Sequence, residues 1–238
     1  MAGHESGRIL KRRAFFSKLT VGLAAGGAVG AVGASAQAQS GDGSRWQAAR
    51  HAQDDWLDQI PGKHRYVVDA PTPEGFGNAL AFLNNYFNVN QNDYGLKDGD
   101  LAVVLIARHM STLFAYNDAI WTKYGVPITQ GGTNFNDPKT KQPPTINLFN
   151  STAYGREFPV MTNRGVTIDS LLKRGLHLGV CQVSSRGYAG RMAMATGASA
   201  DTVFAEMSAN LVPNARFVPA GIVAVNRAQE RGYSLAYC

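Results

Sequence analysis

Cysteine is scarce in this chain, which has only Cys181 and Cys238 among its 238 residues. Two cysteines are too few for a disulfide framework, and a chain of this length does not need one to build a core. The two thiols either bond to each other or remain as one reactive group and one bystander.

Several motifs of nucleotide-binding and hydrolytic proteins are also absent. The sequence has no Gly-x-Gly-x-x-Gly after a predicted strand, no Walker loop and no Gly-x-Ser-x-Gly elbow. These absences argue against dinucleotide binding, phosphoryl transfer and serine hydrolysis. There is no Cys-x-x-Cys pair and no His/Cys cluster with zinc spacing, so we expect neither a metal nor a cofactor.

After residue 38 the chain has no long apolar run and little net positive charge. No stretch there reaches about 18 consecutive apolar residues, so no membrane-spanning helix is predicted. Of the formal net charge of +6, +4 lies in residues 1–38 and only +2 remains for residues 39–238. This distribution argues against a nucleic-acid partner.

The N-terminal segment has the features of a twin-arginine export signal. Lys11-Arg12-Arg13 precedes a weakly apolar, Gly/Ala-rich run from residue 19 to 33, and the small-x-small sequence Ala36-Gln37-Ala38 follows. We predict a signal peptide over residues 1–38, periplasmic localisation and no membrane attachment after cleavage. An uncleaved membrane anchor is the alternative.

The remaining chain divides into an arm and one domain. Residues 39–63 predict a Gly/Ser-rich linker followed by a helix over residues 46–60. Residues 64–238 have the length and composition of a single α/β domain. Within it, turn residues predict a long loop over residues 125–166, a length that usually serves a site, a partner or an oligomer contact.

Apolar segments alternate with amphipathic ones throughout residues 64–238. The apolar segments predict five strands, over residues 64–69, 101–107, 176–181, 215–218 and 233–237. The intervening helices include one lined by Phe76, Leu80, Leu83 and Phe87, one capped by Ser111 or Thr112, and others starting at Thr167, Ser199 and Gly221. This alternation predicts a three-layer domain with a mostly parallel five-stranded sheet and helices on both faces.

The carboxyl ends of the predicted strands bring candidate site residues together, because parallel strands end at the same edge of a sheet. They are Asp69, Arg108, His109, Cys181, Gln182 and Gly221. An imidazole and a helix N-terminus beside a thiol favour the nucleophilic thiolate, so Cys181 and His109 are the catalytic candidates. Asp69, Arg108, Gln182 and Gly221 are candidates to line a ligand crevice, and Asn117 is another.

Each of these candidates also has a structural interpretation. Cysteine is often buried and inert. His109 can cap the next helix or hydrogen-bond a loop, Asn117 can satisfy local backbone groups, and Cys238 ends the sequence given. If the last strand lies two places from the cysteine strand, the two thiols are about 10 Å apart. That separation exceeds the roughly 7 Å Cα limit for a disulfide.

Four segments of the domain carry a family resemblance. They are 103–109 (VVLIARH), 116–121 (YNDAIW), the cysteine strand that follows Arg174-Gly175, and 218–233 (VPAGIVAVNRAQERGY). In order and spacing the chain resembles, from about Arg65 to Cys238, the DsrE/DsrF-like sulfur-relay family and its exported members.

The resemblance implies a flavodoxin-like fold, assembly as a homo- or hetero-oligomer, and a persulfide-carrying cysteine at the position of Cys181. Of the two kinds of assembly we expect a homo-oligomer. A protein sulfur donor or acceptor would be its partner. The competing hypotheses are a small-ligand binding module with the long loop as a lid, and a structural oligomer subunit without sulfur-transfer activity.

Overall fold

The computed structural model describes residues 47–154 and 161–238. The predicted signal peptide over residues 1–38 and the linker up to residue 46 lie outside the described residues. Gln47–Cys238 forms one compact unit.

Five parallel strands form the central sheet, in the order β4-β3-β2-β1-β5. Their bounds are β1 His64–Ala70, β2 Leu101–Ala107, β3 His177–Cys181, β4 Ala215–Val218 and β5 Ser234–Tyr237. All five predicted strands are therefore present, within one or two residues of their expected ends. β2 is central and buried along its whole length, as its unbroken apolar run indicated.

Helices connect the strands and cover both faces of the sheet. They are α1 Trp56–Gln59, α2 Pro73–Tyr94, α3 Asp118–Ile128, α4 Ile168–Leu172, α5 Gln182–Thr196, α6 Ala200–Ala209 and α7 Gly221–Gln229. The chain steps from β1 to β4 in one direction across the sheet and then returns to β5 beside β1. Because such crossovers are right-handed, the return places α7 on the face opposite α2. The result is the expected single α/β domain with a flavodoxin-like architecture.

Two apolar cores result from this arrangement. The larger core joins one face of the sheet to α2, α3, α5 and α6, and includes Val68, Leu105 and Val180. The smaller core joins the other face to α1 and α7, and includes Val67 and Ile106. Since side chains alternate along a strand, Asp69 and Cys181 belong to the α7 face.

Two helix predictions need correction, and one helix was missed. The helix predicted over residues 46–60 is only a 3-10 turn at Ala52–Asp54 and the single turn of α1. The helix expected to start at Ser111 or Thr112 is a 3-10 segment, His109–Ala115, and α3 begins later, with Asn117 as its cap. α5 was not predicted, because its apolar residues do not form one stripe: Val183 and Met194 are exposed, whereas Tyr188 and Met192 are buried.

Residues 125–166, predicted as a loop, contain the end of α3 and several short turns. Phe135 and Phe149 of this segment are buried and stack on each other with ring centroids 5.6 Å apart. Asn147 donates to the carbonyls of Phe114 and Tyr116 from its amide nitrogen. The described part of the segment is thus packed into the larger core.

Candidate functional site

Cys181 lies at the junction between a strand and a helix. It is the last residue of β3 and directly precedes the 15-residue helix α5. Its register with Val218 places it on the α7 face of the sheet, where it is 6% exposed. The start of a helix favours negative charge, since its first N–H groups lack intrahelical partners.

A bidentate ion pair lies one strand away. Arg108 follows β2, and its Nε and Nη2 donate to the two carboxylate oxygens of Asp69 at 2.7 and 2.8 Å. Asp69 is buried in β1. The hydrogen bond to Asp69 raises the pKa of Arg108, although burial acts in the opposite direction. The guanidinium is therefore a fixed positive charge at the carboxyl edge of the sheet.

Gly221, the first residue of α7, packs closely against the side chain of Arg108. A Cβ added to Gly221 would lie 2.5 Å from the Cβ of Arg108 and 3.2 Å from Cγ2 of Ile106. No real Cβ tolerates the shorter distance, so the close approach of helix and sheet requires glycine here.

Electrostatic interactions connect the ion pair to two further groups at the same edge. Cys181 and Tyr237 both contribute to raising the pKa of Arg108 through their charges. Tyr237 ends β5 and is 68% exposed. Arg108 therefore stands between the cysteine strand and the solvent-facing end of β5.

His109 reaches the cysteine segment through its backbone. Its N–H donates to Oγ of Ser184 at 3.0 Å, and its backbone is left-handed with φ of 55°. This conformation is uncommon for residues other than glycine, although histidine is among those enriched in it. The contact joins the end of β2 to the first turn of α5, while the His109 side chain is exposed.

Two buried hydroxyl groups form a chain of hydrogen bonds that ends on the backbone carbonyl of Cys181. Tyr116 donates to Oγ of Ser185 at 2.7 Å, and Ser185 donates to the carbonyl oxygen of Cys181 at 2.9 Å. Burial raises the pKa of Tyr116 well above its usual range, so the phenol remains a donor at neutral pH. This chain of hydrogen bonds holds the strand end and the first turn of α5 together.

The other predicted site residues have different positions. Gln182 is the first residue of α5 and is half-buried. Asn117 caps α3 by accepting from the N–H of Ala119, and its amide donates to Asn210. The structure thus gathers Asp69, Arg108, Cys181 and Gly221 at one edge and gives Asn117 a capping role.

The two thiols are unbonded. Both cysteines are free, Cys181 buried and Cys238 partly exposed. Cys238 follows β5, which lies three places from β3 in the sheet rather than the two assumed from the sequence. Three strand spacings amount to about 14 Å, too far for a disulfide. Burial, and then the nearby charge of Asp69, raises the pKa of Cys238.

Two clefts open on the described surface. A cleft of about 510 Å³ lies between the start of α2 and residues 133–141, and Thr72, Glu74, Asn134 and Lys141 are among its lining residues. A second of about 260 Å³ lies at the opposite, amino edge of the sheet, beside His177. The lining of neither cleft includes Cys181.

Sequence reasoning missed three groups at this site: Tyr116, Ser185 and Tyr237. Tyr116 falls within the helix predicted to begin at Ser111 or Thr112, and nothing in that pattern indicated a hydroxyl contact with a residue 69 positions away. Tyr237 could have been found, because a terminal strand paired with β1 necessarily ends at the same edge.

Within the described residues, no group of three or more His, Cys, Asp or Glu side chains is arranged to hold a metal ion. None of the described helices has the length and apolarity to cross a membrane. Comparisons with models of protein families, with characterised proteins and with solved structures each gave no match to this chain.

Proposed function

We propose that this chain is an exported DsrE-like carrier of sulfane sulfur, with Cys181 as the acceptor thiol. The observation that carries the proposal is the position of Cys181 at the carboxyl end of β3, directly before α5 and one strand from Arg108. The start of a helix favours an anion, and the thiolate and the persulfide anion are the reactive forms in sulfur transfer.

The proposed reaction is an exchange at a sulfur–sulfur bond. The Cys181 thiolate attacks the terminal sulfur of a persulfide or polysulfide donor, and a new S–S bond forms at Sγ as the S–S bond of the donor breaks. A persulfide donor leaves as a thiolate, and a polysulfide leaves one sulfur shorter. No net oxidant or reductant is needed, because the sulfane sulfur moves from one sulfur nucleophile to another. A partner protein would complete the relay by attacking the Cys181 persulfide in the same way.

Intact-mass measurement tests the proposal directly. The full chain, incubated anaerobically with inorganic polysulfide, should gain one sulfur atom at Cys181 and lose it on treatment with dithiothreitol. Cys238→Ser should load as well as the wild type, whereas Cys181→Ser should not. An unchanged mass at Cys181, or equal loading in Cys181→Ser, would overturn the assignment.

Export is part of the same proposal. Arg12 and Arg13 supply the paired arginines that the twin-arginine pathway reads. Replacing both with lysine should retain the protein in the cytoplasm, as measured by fractionation and by the mass of the processed chain. Periplasmic recovery of the double variant would contradict this route.

We also propose that the chain self-associates through the apolar side chains around the site. Val183 in the first turn of α5 and Ile222 in the first turn of α7 are 66% and 59% exposed. Sedimentation of the wild type should show a dimer or larger assembly that Val183→Glu or Ile222→Glu weakens. A monomeric wild type at high concentration would refute self-association.

The larger cleft supports a second candidate function, binding of a small ligand without sulfur transfer. Its volume of about 510 Å³ falls in the range usual for small-molecule sites, and residues 133–141 of the predicted loop form one wall. Thermal stabilisation by a flavin or nucleotide that persists in Cys181→Ser would favour this function. Polysulfide loading at Cys181 with no such stabilisation would favour the first.

A further inference from the structure

The smaller cleft lies at the edge of the sheet opposite Cys181. It is formed by the end of α1 and the beginnings of β3 and β4, and its volume is about 260 Å³. Its lining residues include Trp56, Gln59, His177, Asn214 and Arg216. β3 connects the two sites, since His177 begins this strand and Cys181 ends it. These two residues are about 13 Å apart along the strand.

Arg216 gives this cleft an uncompensated positive charge. Its guanidinium lies over the ring of Trp56, 5.1 Å from the centroid. Within residues 47–154 and 161–238 no carboxylate lies at ion-pair distance from Arg216, whereas Arg174 in the same domain pairs with Asp98 at 2.9 Å. The contact with Trp56 orients the planar group, and Arg216 is exposed and lines the cleft.

His177 adds a second donor beside this charge. The side chain is half-buried, and burial together with the charge of Arg216 lowers its pKa. Both side chains line the same cleft, so they can act on one bound group. Gln59 and Asn214 contribute amide groups to the same lining, which contains no Asp or Glu.

We propose that this cleft binds a small oxyanion, either a phosphate or a carboxylate, through Arg216 and His177. Guanidinium groups bind both kinds of oxyanion through paired, charge-assisted hydrogen bonds. The volume equals that of about eight or nine water molecules, which suits a ligand of similar heavy-atom count. The site is separate from the proposed sulfur chemistry and requires no reaction at Cys181.

Nuclear magnetic resonance of the His177 imidazole tests the site. The full-length protein is titrated with inorganic phosphate and, separately, with acetate, at constant pH and with sodium chloride holding ionic strength constant. The chain has five histidines, so His177→Gln identifies the relevant signal. A saturable shift of that signal is expected with one or both anions, and the anion that saturates at lower concentration identifies the class.

Charge variants decide whether Arg216 is responsible. Arg216→Gln should weaken binding at least tenfold, while Arg216→Lys, which keeps the charge, should retain a saturable response and confirms that the exposed position tolerates substitution. Arg186→Gln is the matched control, because Arg186 also lies over an aromatic ring, that of Phe204 at 4.1 Å. A linear drift with both anions, or equal affinity in Arg216→Gln, would overturn the proposal.

Discussion

The ion pair between Asp69 and Arg108 should be among the strongest polar couplings in the domain. Two unit charges about 4 Å apart interact by about 4 kcal/mol at an effective dielectric of 20. The side chains of Asp69 and Arg108 are 4% and 22% exposed, so screening by solvent is limited. Desolvation of the carboxylate offsets part of this attraction, and we expect a net coupling of about 2 to 3 kcal/mol.

A double-mutant cycle measures this coupling. Arg108→Met leaves a buried carboxylate unpaired and should lower the free energy of unfolding by about 3 to 5 kcal/mol. Asp69→Asn should cost about 2 kcal/mol, because one amide N–H then opposes an Arg108 donor. The double variant should be less destabilised than the sum of the two, as followed by urea denaturation with circular dichroism at pH 7.

Arg174 and Asp98 provide the matched control. They form a similar two-point contact, with distances of 3.1 and 2.9 Å, but the Asp98 side chain is 37% exposed. Exposed pairs contribute about 0 to 1 kcal/mol, so the Arg174→Met and Asp98→Asn cycle should show a smaller coupling. If the effects of the Asp69 and Arg108 substitutions on the free energy of unfolding add to within about 0.5 kcal/mol, the reasoning from burial is refuted.

Three further outcomes follow from the packing and protonation of named side chains. Gly221→Ala should lower the free energy of unfolding by about 1 to 3 kcal/mol, because its Cβ meets a side-chain carbon at 2.5 Å. Gly190→Ala, in open space on α5, should stabilise by up to about 1 kcal/mol in the same denaturation assay. Tyr116→Phe should cost about 1 kcal/mol, because it removes the buried hydrogen bond to Ser185; an unchanged midpoint would show that this bond is not important for stability. The pKa of His177 is lowered on folding, so as the pH falls the unfolded chain is protonated at this residue before the folded protein is. The free energy of unfolding therefore falls as the pH drops below about 6.5. His177→Gln should reduce this loss between pH 7.5 and 5, and an identical pH dependence would contradict the shift.

The strands were predictable because their signal is local. The apolar run of β2 is bounded by polar and turn residues, and its predicted bounds coincide with Leu101–Ala107. Caps at Thr167 and Ser199 were also correct, since each accepts from an N–H three residues later. Such contacts depend only on residues within one turn of the chain.

The helix errors arise where distant contacts outweigh local preference. The hydroxyl of Ser111 lies within hydrogen-bonding distance of the carbonyl oxygens of Ala70 and Arg108, and its oxygen accepts from the N–H of Arg108. Ser111 therefore joins the end of β1 to the start of the 3-10 segment and does not cap a helix of its own. Tyr116 is then held extended by a bridge to Leu211, which delays α3 until Asn117. α5 lacks one continuous apolar face, and its packing against α3 and α6 supplies the stability that its sequence pattern did not indicate.

The sequence by itself determined which side chains reach the carboxyl edge of the sheet, because the period of apolar residues defines where each strand ends. Only the tertiary structure decided how those side chains combine. It paired Arg108 with Asp69, connected His109 through its backbone to Ser184, and set Cys238 three strands from Cys181. It also joined Trp56 to Arg216 at the amino edge. These contacts join residues 39 to 160 positions apart, and they depend on strand order and crossover direction, which no local pattern encodes.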